Sequence, residues 1–428
     1  MQIGVLGCGY LGTVISACMA DLGTPVTCFD SDIGRVRAMA DGLVPFYEKN
    51  LEEIIRRNVR AGRLCYSTEV DSSASRSQIL FIAPDEPLAI EDIMTRLASV
   101  TPADVPLVLC SPCSVGTASR VEKALYQRGM VHPVVSFPLF LTHGCAIEDF
   151  NWPDRILLGA NSPEAVAAIK LLFRPLIMRG VPVIVTNFET AELVREAATA
   201  FVATKVSFIN ELASLCEHVH ADARDLALAL GLDKRIAPRC LSPGVGLGGS
   251  FVESDMESLA DLAIENGVPL KVLAAAREVH ELHTARLVTK ISSLVQPMAK
   301  KRIGLLGLSF KPHTSSVAGS ASMALARELS TQGASVSAYD PFAMAEAERS
   351  WRQGMRYCGS PYEAVEGTDA VIIGTGWPEF RSLDFVRLKR LVNRPLIVDT
   401  KNLLDSDRLR NLGFEYMGVG RMPAAASV

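Results

Sequence analysis

The sequence has no surplus of basic charge: its 43 Lys and Arg face 47 Asp and Glu, a net charge of -4 at pH 7. Without a positive field to gather polyanions, no nucleic-acid partner is expected, and an anionic ligand must be met by a few local groups. Long hydrophobic runs are also missing. None reaches the roughly 18 residues needed to cross a bilayer, so no membrane partner is expected. Met1 leads directly into an apolar strand-like run, and a cytoplasmic location is expected. The ten cysteines are not arranged for metal, because Cys110-Ser111-Pro112-Cys113 is one C-x-x-C with no second pair at zinc spacing. Reduced, mostly buried thiols and no metal site are the expectation.

What is present is an ordinary globular balance, 49% hydrophobic and 21% charged over 428 residues, enough for two or three domains. The most informative stretch is the first thirty residues. An apolar run, Ile3 to Leu6, feeds Gly7-Cys8-Gly9-Tyr10-Leu11-Gly12, then an apolar helical pattern, then a second short run ending on Asp30. This is the G-x-G-x-x-G fingerprint in its strand, turn, helix and strand setting. Gly7 allows the tight turn, Gly9 admits a pyrophosphate to the backbone, and Gly12 lets helix and strand pack closely. The helix N-terminus offers N–H groups to the phosphates. Asp30, 18 residues beyond Gly12, can accept from both ribose hydroxyls and would repel a 2′-phosphate, so NAD is expected as cofactor. Arg35 follows, placed toward the adenosine end.

Strand-like runs recur at Gln78 to Ala83, Pro106 to Cys110, Pro133 to Ser136, Arg155 to Gly159 and Pro182 to Val185, separated by helical stretches. This rhythm predicts a doubly wound parallel sheet closing near residue 186. From Phe188 to about His220 the chain has helical apolar spacing without Gly or Pro. The spacing predicts one helix of about 45 Å, a spine between domains and a surface for a homodimer. Further helices are expected through Glu257 to Leu294. At Lys301 the opening theme returns: a strand and turn to Gly307, a helix, and the strand Ser335 to Tyr339 ending on Asp340. The third glycine is replaced by Ser309-Phe310-Lys311-Pro312, so this half is expected to hold a different nucleotide. The expected fold is therefore α/β, two Rossmann-like doubly wound domains joined by a long central helix. The boundaries are 1–186 for NAD, 187–298 for the helical region, and 299–428 for a nucleotide-sugar domain.

The stretches GCGYLG, VPFYEKNLEEIIRRNVRAGRL, SVGT (Ser114 to Thr117), PDRILLG, AELVREAATAFVATKVSFINELA, PGVGLGGS (Pro243 to Ser250), GLSFKP (Gly307 to Pro312), AYDP and WPEF occur in this order. With them the chain resembles the UDP-glucose/GDP-mannose dehydrogenase family, whose members use two NAD to oxidise the C6 alcohol of a nucleotide sugar to a carboxylate. The resemblance implies cofactor contacts at Gly7, Gly9, Tyr10, Leu11, Gly12, Asp30, Arg35 and Thr117. It implies substrate contacts at Phe140, Leu141, Arg195, Arg235, Gly246, Lys311 and Lys401.

It also implies a changed reaction. The family's G-G-S-C-F-P-K-D stretch, whose thiolate traps the C6 aldehyde, is here Gly248-Gly249-Ser250-Phe251-Val252-Glu253-Ser254-Asp255. Phe251 stands at the nucleophile's position and cannot form a thiohemiacetal. A positioning threonine becomes Pro112, two glutamates become Leu139 and His143, and the oxyanion-holding lysine and asparagine become Arg195 and Thr199. The V-x-T-P loop is Ala83-Pro84-Asp85-Glu86-Pro87, and in the F-K-P-x-T-D-D-x-R stretch the acids and arginine become Ser315, Ser316 and Ala318. Asp255 remains, as a general base or as a helix cap. His143 is a candidate base or an exposed loop residue, and Arg195 an anion ligand or a partner of Glu192 or Glu196. Cys240 lies at the wrong spacing to replace the nucleophile. Three functions stay open: a two-electron NAD-dependent oxidation, a noncatalytic paralogue that binds nucleotide or a partner, and the family reaction with an unrecognised nucleophile.

Overall fold

In the computed structural model, residues 1–85, 89–246 and 248–421 are described, apart from the side chains of Ser250 and Phe251. Two compact units emerge, Met1–Ala197 and Ala198–Val428. In the first, short apolar runs form β1 (Ile3–Leu6), β2 (Val26–Phe29), β3 (Leu64–Ser67), β4 (Ile79–Ile82), β5 (Leu107–Leu109), β6 (Val134–Ser136), β7 (Ile156–Ala160) and β8 (Val183–Thr186). They make one sheet in the order β3-β2-β1-β4-β5-β6-β7-β8. The first six strands have the Rossmann order, with the reversal at β1/β4, where ligands bind beyond the strand ends. Helices cover both faces. Val5, Ile15, Met19, Phe81 and Leu158 are among the residues buried on one side, and Leu80, Ile82, Met94 and Leu107 on the other.

One expectation is corrected here. The sheet is not wholly parallel, because β7 runs antiparallel to β6. The chain between them carries only the six-residue helix Ala146–Asn151. An antiparallel neighbour does not need the longer crossover helix of a βαβ unit.

The second unit contains a six-stranded parallel sheet: β9 (Arg302–Leu306), β10 (Ser335–Tyr339), β11 (Arg356–Tyr357), β12 (Ala370–Ile373), β13 (Leu396–Asp399) and β14 (Glu415–Gly418). Their order, β11-β10-β9-β12-β13-β14, repeats the Rossmann winding. The spine is a single 32-residue helix, Phe188–Val219, close to the length its uninterrupted pattern predicts. After the helix Ala223–Leu232, the stretch expected to be helical through Glu257 to Leu294 is two elements, Ser250–Glu265 and Lys271–Val295. Gly267-Val268-Pro269 separates them, since Pro disfavours the helical region for the residue before it. No described helix is long and apolar enough to cross a membrane.

Candidate active site

The first unit gathers its candidate residues around the β1 turn. Gly7 adopts a φ of +102°, which only glycine takes without strain, and a Cβ on Gly12 would strike the Gly7 carbonyl. The turn delivers Tyr10 as the first residue of the helix Tyr10–Asp21. Asp30, just beyond β2, accepts from the Cys8 N–H at 2.8 Å through Oδ2 and from the Asp32 N–H at 3.0 Å through Oδ1. Arg35 Nη1 lies 3.7 Å from the same carboxylate. The pair sits where an adenosine ribose would meet it, and these residues fit NAD.

Tyr10 also reaches away from the turn. Its hydroxyl donates to Glu48 Oε2 at 2.7 Å, and its ring stacks on His143 with centroids 3.9 Å apart. Burial and Glu48 push the phenol far above its ordinary range, so it remains a donor. The buried Glu48 carboxylate accepts from the N–H groups of Gly144, at 2.6 Å, and Ala146, at 3.0 Å. One acid thus ties the nucleotide turn to the loop carrying Phe140, Leu141 and His143. His143 is half-buried against Tyr10 and not an exposed loop residue. Phe140 lies under the Arg155 guanidinium, 3.7 Å from the ring centroid. Leu11 and Leu141 pack on the apolar core.

Thr117 starts the helix Thr117–Gln127, and its hydroxyl donates to the Ser114 carbonyl at 2.6 Å. Glu192, from the spine, caps that helix by accepting from the Gly116 and Ala118 N–H groups at 2.6 and 2.9 Å. Burial pushes the Glu192 carboxyl up, partly offset by these donors. Arg195 Nη2 lies 3.9 Å from Oε1 of Glu196, one of its two suggested neighbours.

The second unit assembles another group. Asp255 is buried and accepts from the Thr199 hydroxyl at 2.9 Å. The cap reading of Asp255 is corrected: its helix starts at Ser250, behind the N-cap Gly249, which leaves Asp255 in the second turn facing the spine. The PGVGLGGS loop is held by side chains distant in sequence. Asn210 Oδ1 accepts from the Gly244 N–H at 2.9 Å, and the Gly244 carbonyl lies 2.7 Å from His283 Nε2. Burial lowers the His283 pKa and favours its neutral form. Gly246 packs against the ring of His280, and Gly249 against Phe310 of the GLSFKP stretch. Lys311 lies 6.0 Å from the Phe310 ring. Lys401 flanks Gly244, and burial holds its ammonium down to about 8, opposed by the nearby Asp399 carboxylate. A cleft of about 1440 Å³ opens beside this loop, lined by Gly248, Gly249, Arg277, His280, Gly319 and Arg327 among others.

Arg235 is not brought to this group: its side chain is 86% exposed and grips Asp233, two residues earlier, at 2.6 Å. The side chain of Phe251 and the loop residues Glu86 and Pro87 lie outside what is described. Sequence reasoning missed Glu48, Glu192 and the contact of Asp85 with the Tyr10 amide at 3.0 Å. Each joins loops or helices far apart in the chain, and no spacing signals it.

The two glycine turns differ at their acids. Asp340, in the second sheet, is 1% exposed, and its Oδ2 accepts from the Leu308 and Ser309 N–H groups and from Trp377 Nε1. That oxygen is spent on its own turn, whereas Asp30 remains partly open.

A Rossmann turn with an acid just beyond its second strand, followed by a spine helix and a second Rossmann sheet, defines a two-domain NAD-dependent oxidoreductase. Residues 1–177 match the NAD binding domain of the UDP-glucose/GDP-mannose dehydrogenase family, 189–281 its central domain and 304–406 its UDP binding domain. The chain is 34% identical over 432 residues to UDP-glucose 6-dehydrogenase TuaD of Bacillus subtilis, covering 98% of this chain and 93% of the relative. It is 35% identical to a UDP-glucose 6-dehydrogenase of Rhizobium meliloti, covering 98% and 100%. A UDP-glucose dehydrogenase structure from Pyrobaculum islandicum superposes with a TM-score of 0.90 at 28% identity, covering 98% of each chain. The chain belongs to the UDP-glucose/GDP-mannose dehydrogenase family.

Proposed function

We propose that this chain oxidises a nucleotide sugar, or a close relative of one, by a two-electron step. The step is alcohol to aldehyde or ketone, or a transient oxidation of the kind used in epimerisation. The observation that carries the reading is Phe251 in the Gly248 to Asp255 stretch, where the family resemblance places a thiol. A phenyl ring cannot trap an aldehyde covalently, so the second oxidation loses its route. The intact turn and Asp30 support retained redox chemistry.

NAD, when bound, supplies the two-electron acceptor. Gly7, Gly9, Tyr10, Leu11, Gly12, Asp30, Arg35 and Thr117 would hold it. Asp255 takes the proton of the reacting alcohol, with the Thr199 hydroxyl orienting the carboxylate. His143 is assigned a second acid–base role, steadied by its stacking on Tyr10. Phe140, Leu141, Arg195, Gly246, Lys311 and Lys401 are assigned to the substrate. The division at 186 and 298 is kept. A homodimer on the spine is supported by Phe201, Phe208 and Leu215, seven residues apart and 67%, 54% and 54% exposed. A cytoplasmic location is retained as part of the same reading.

A second reading is full oxidation to the uronate through another nucleophile, favoured by relatives at 34 and 35% identity that are named UDP-glucose 6-dehydrogenases. The test is calorimetric titration with NAD, then UDP-glucose, UDP-N-acetylglucosamine or GDP-mannose, while absorbance at 340 nm is followed. NAD binding with NADH formation and no uronate supports the first reading, and uronate formation supports the second. Absence of NAD binding defeats both.

A further inference from the structure

We propose that Asp85 occupies the diphosphate cradle of the NAD-free protein, and that NAD must displace it, so this one side chain sets the cofactor affinity. The proposal rests on NAD binding at the Gly7–Gly12 turn. Three contacts carry it. Tyr10 contributes the first N–H of its helix, one of the donors that no intrahelical carbonyl satisfies, and this N–H donates to Asp85 Oδ1 at 3.0 Å. A Cβ on Gly9 would fall on the Asp85 carboxylate, so that carboxylate fills the space above the glycine that admits a pyrophosphate. Arg35 Nη1 lies 3.3 Å from Asp85 Oδ2 and 3.7 Å from Asp30 Oδ2, bridging the two acids.

Asp85 therefore engages both attractions the turn offers an anion, the positive end of a helix and a guanidinium. A diphosphate needs the same N–H groups and the same space. The two anions cannot share them without like-charge repulsion at close range. The Arg35–Asp85 pair is 39% and 43% exposed, and pairs this open are weak. The carboxylate is thus a replaceable occupant, one that lowers affinity without abolishing it.

The test uses the full chain and its Asp85→Asn and Asp85→Ala variants, each checked for folding by thermal melting. They are titrated calorimetrically with NAD, with ADP, and with adenosine as the phosphate-free control. Both variants should bind NAD and ADP about three- to thirtyfold more tightly than the parent, since the open ion pair and the helix end each hold the carboxylate by up to about fivefold. Adenosine affinity should change less than twofold. If the parent binds NAD and both variants bind it equally or more weakly, Asp85 only caps the helix and the proposal is overturned while the cofactor reading stands. An equal gain for adenosine also overturns it, because the effect would not concern phosphate. If no form binds NAD or ADP, the cofactor reading falls with it.

Discussion

Lys401 shows how a half-buried residue exposes its task through pH. Burial beside Gly244 lowers its pKa from 10.5 to about 8. The unfolded chain therefore binds more protons than the folded one between pH 8 and 10.5, and stability rises with pH across that window. Below pH 8 the full cost is present, up to about 3 kcal/mol at 1.36 kcal/mol per unit. Lys401→Met should stabilise the protein at pH 7 by up to that amount, with the gain fading toward pH 10.5; urea unfolding at both ends of the window checks it. A destabilised variant at pH 7 would show that the ammonium is satisfied where it sits. Asp255→Asn should lower kcat by about 10²- to 10⁴-fold and leave the Kd for NAD unchanged, because the proposed base acts on the alcohol and the turn holds the cofactor. Equal losses in kcat and NAD affinity would assign it a structural role. Glu48→Ala strands two backbone N–H groups and the Tyr10 hydroxyl, and should cost about 1.5–3 kcal/mol in denaturant unfolding. The turn at Gly7 and the close packing at Gly12 were legible because a dinucleotide turn is a local pattern. Glu48 was not, since its three donors lie 38, 96 and 98 residues away.

Among the elements, legibility followed length and apolar content. The spine helix was read almost to its ends, having 32 residues without a helix breaker. Strands β3, β11 and β14 were not read: all three lie at sheet edges, and β11 is the dipeptide Arg356–Tyr357. Edge strands need no continuous apolar run, so their sequences carry little signal. The start of the helix Ser250–Glu265 was missed for another reason. Its N-cap is Gly249, without a side-chain cap, and Asp255 was the more familiar signal. The row Phe201, Phe208 and Leu215 makes its own prediction, because heptad spacing keeps one face toward a partner helix. Phe208→Glu should shift the protein toward monomer in sedimentation velocity, with its helical content unchanged. A parent that sediments as a monomer would remove the dimer from the account.

On the scale of the whole molecule, one winding is used twice with different acids. Asp30 keeps a partly open carboxylate at a glycine turn built for a dinucleotide, while Asp340 is committed to its own turn and to Trp377. This fits NAD on the first sheet and leaves the second for a different ligand. The central claim is that the chain retains the first oxidation of its family and has lost the second. The most direct measurement is the ratio of NADH formed to nucleotide sugar consumed, in a closed reaction with the product mass determined. The account predicts at most one NADH per sugar and a product at the level of an aldehyde, a ketone or an epimer. Two NADH per sugar together with a uronate would contradict it.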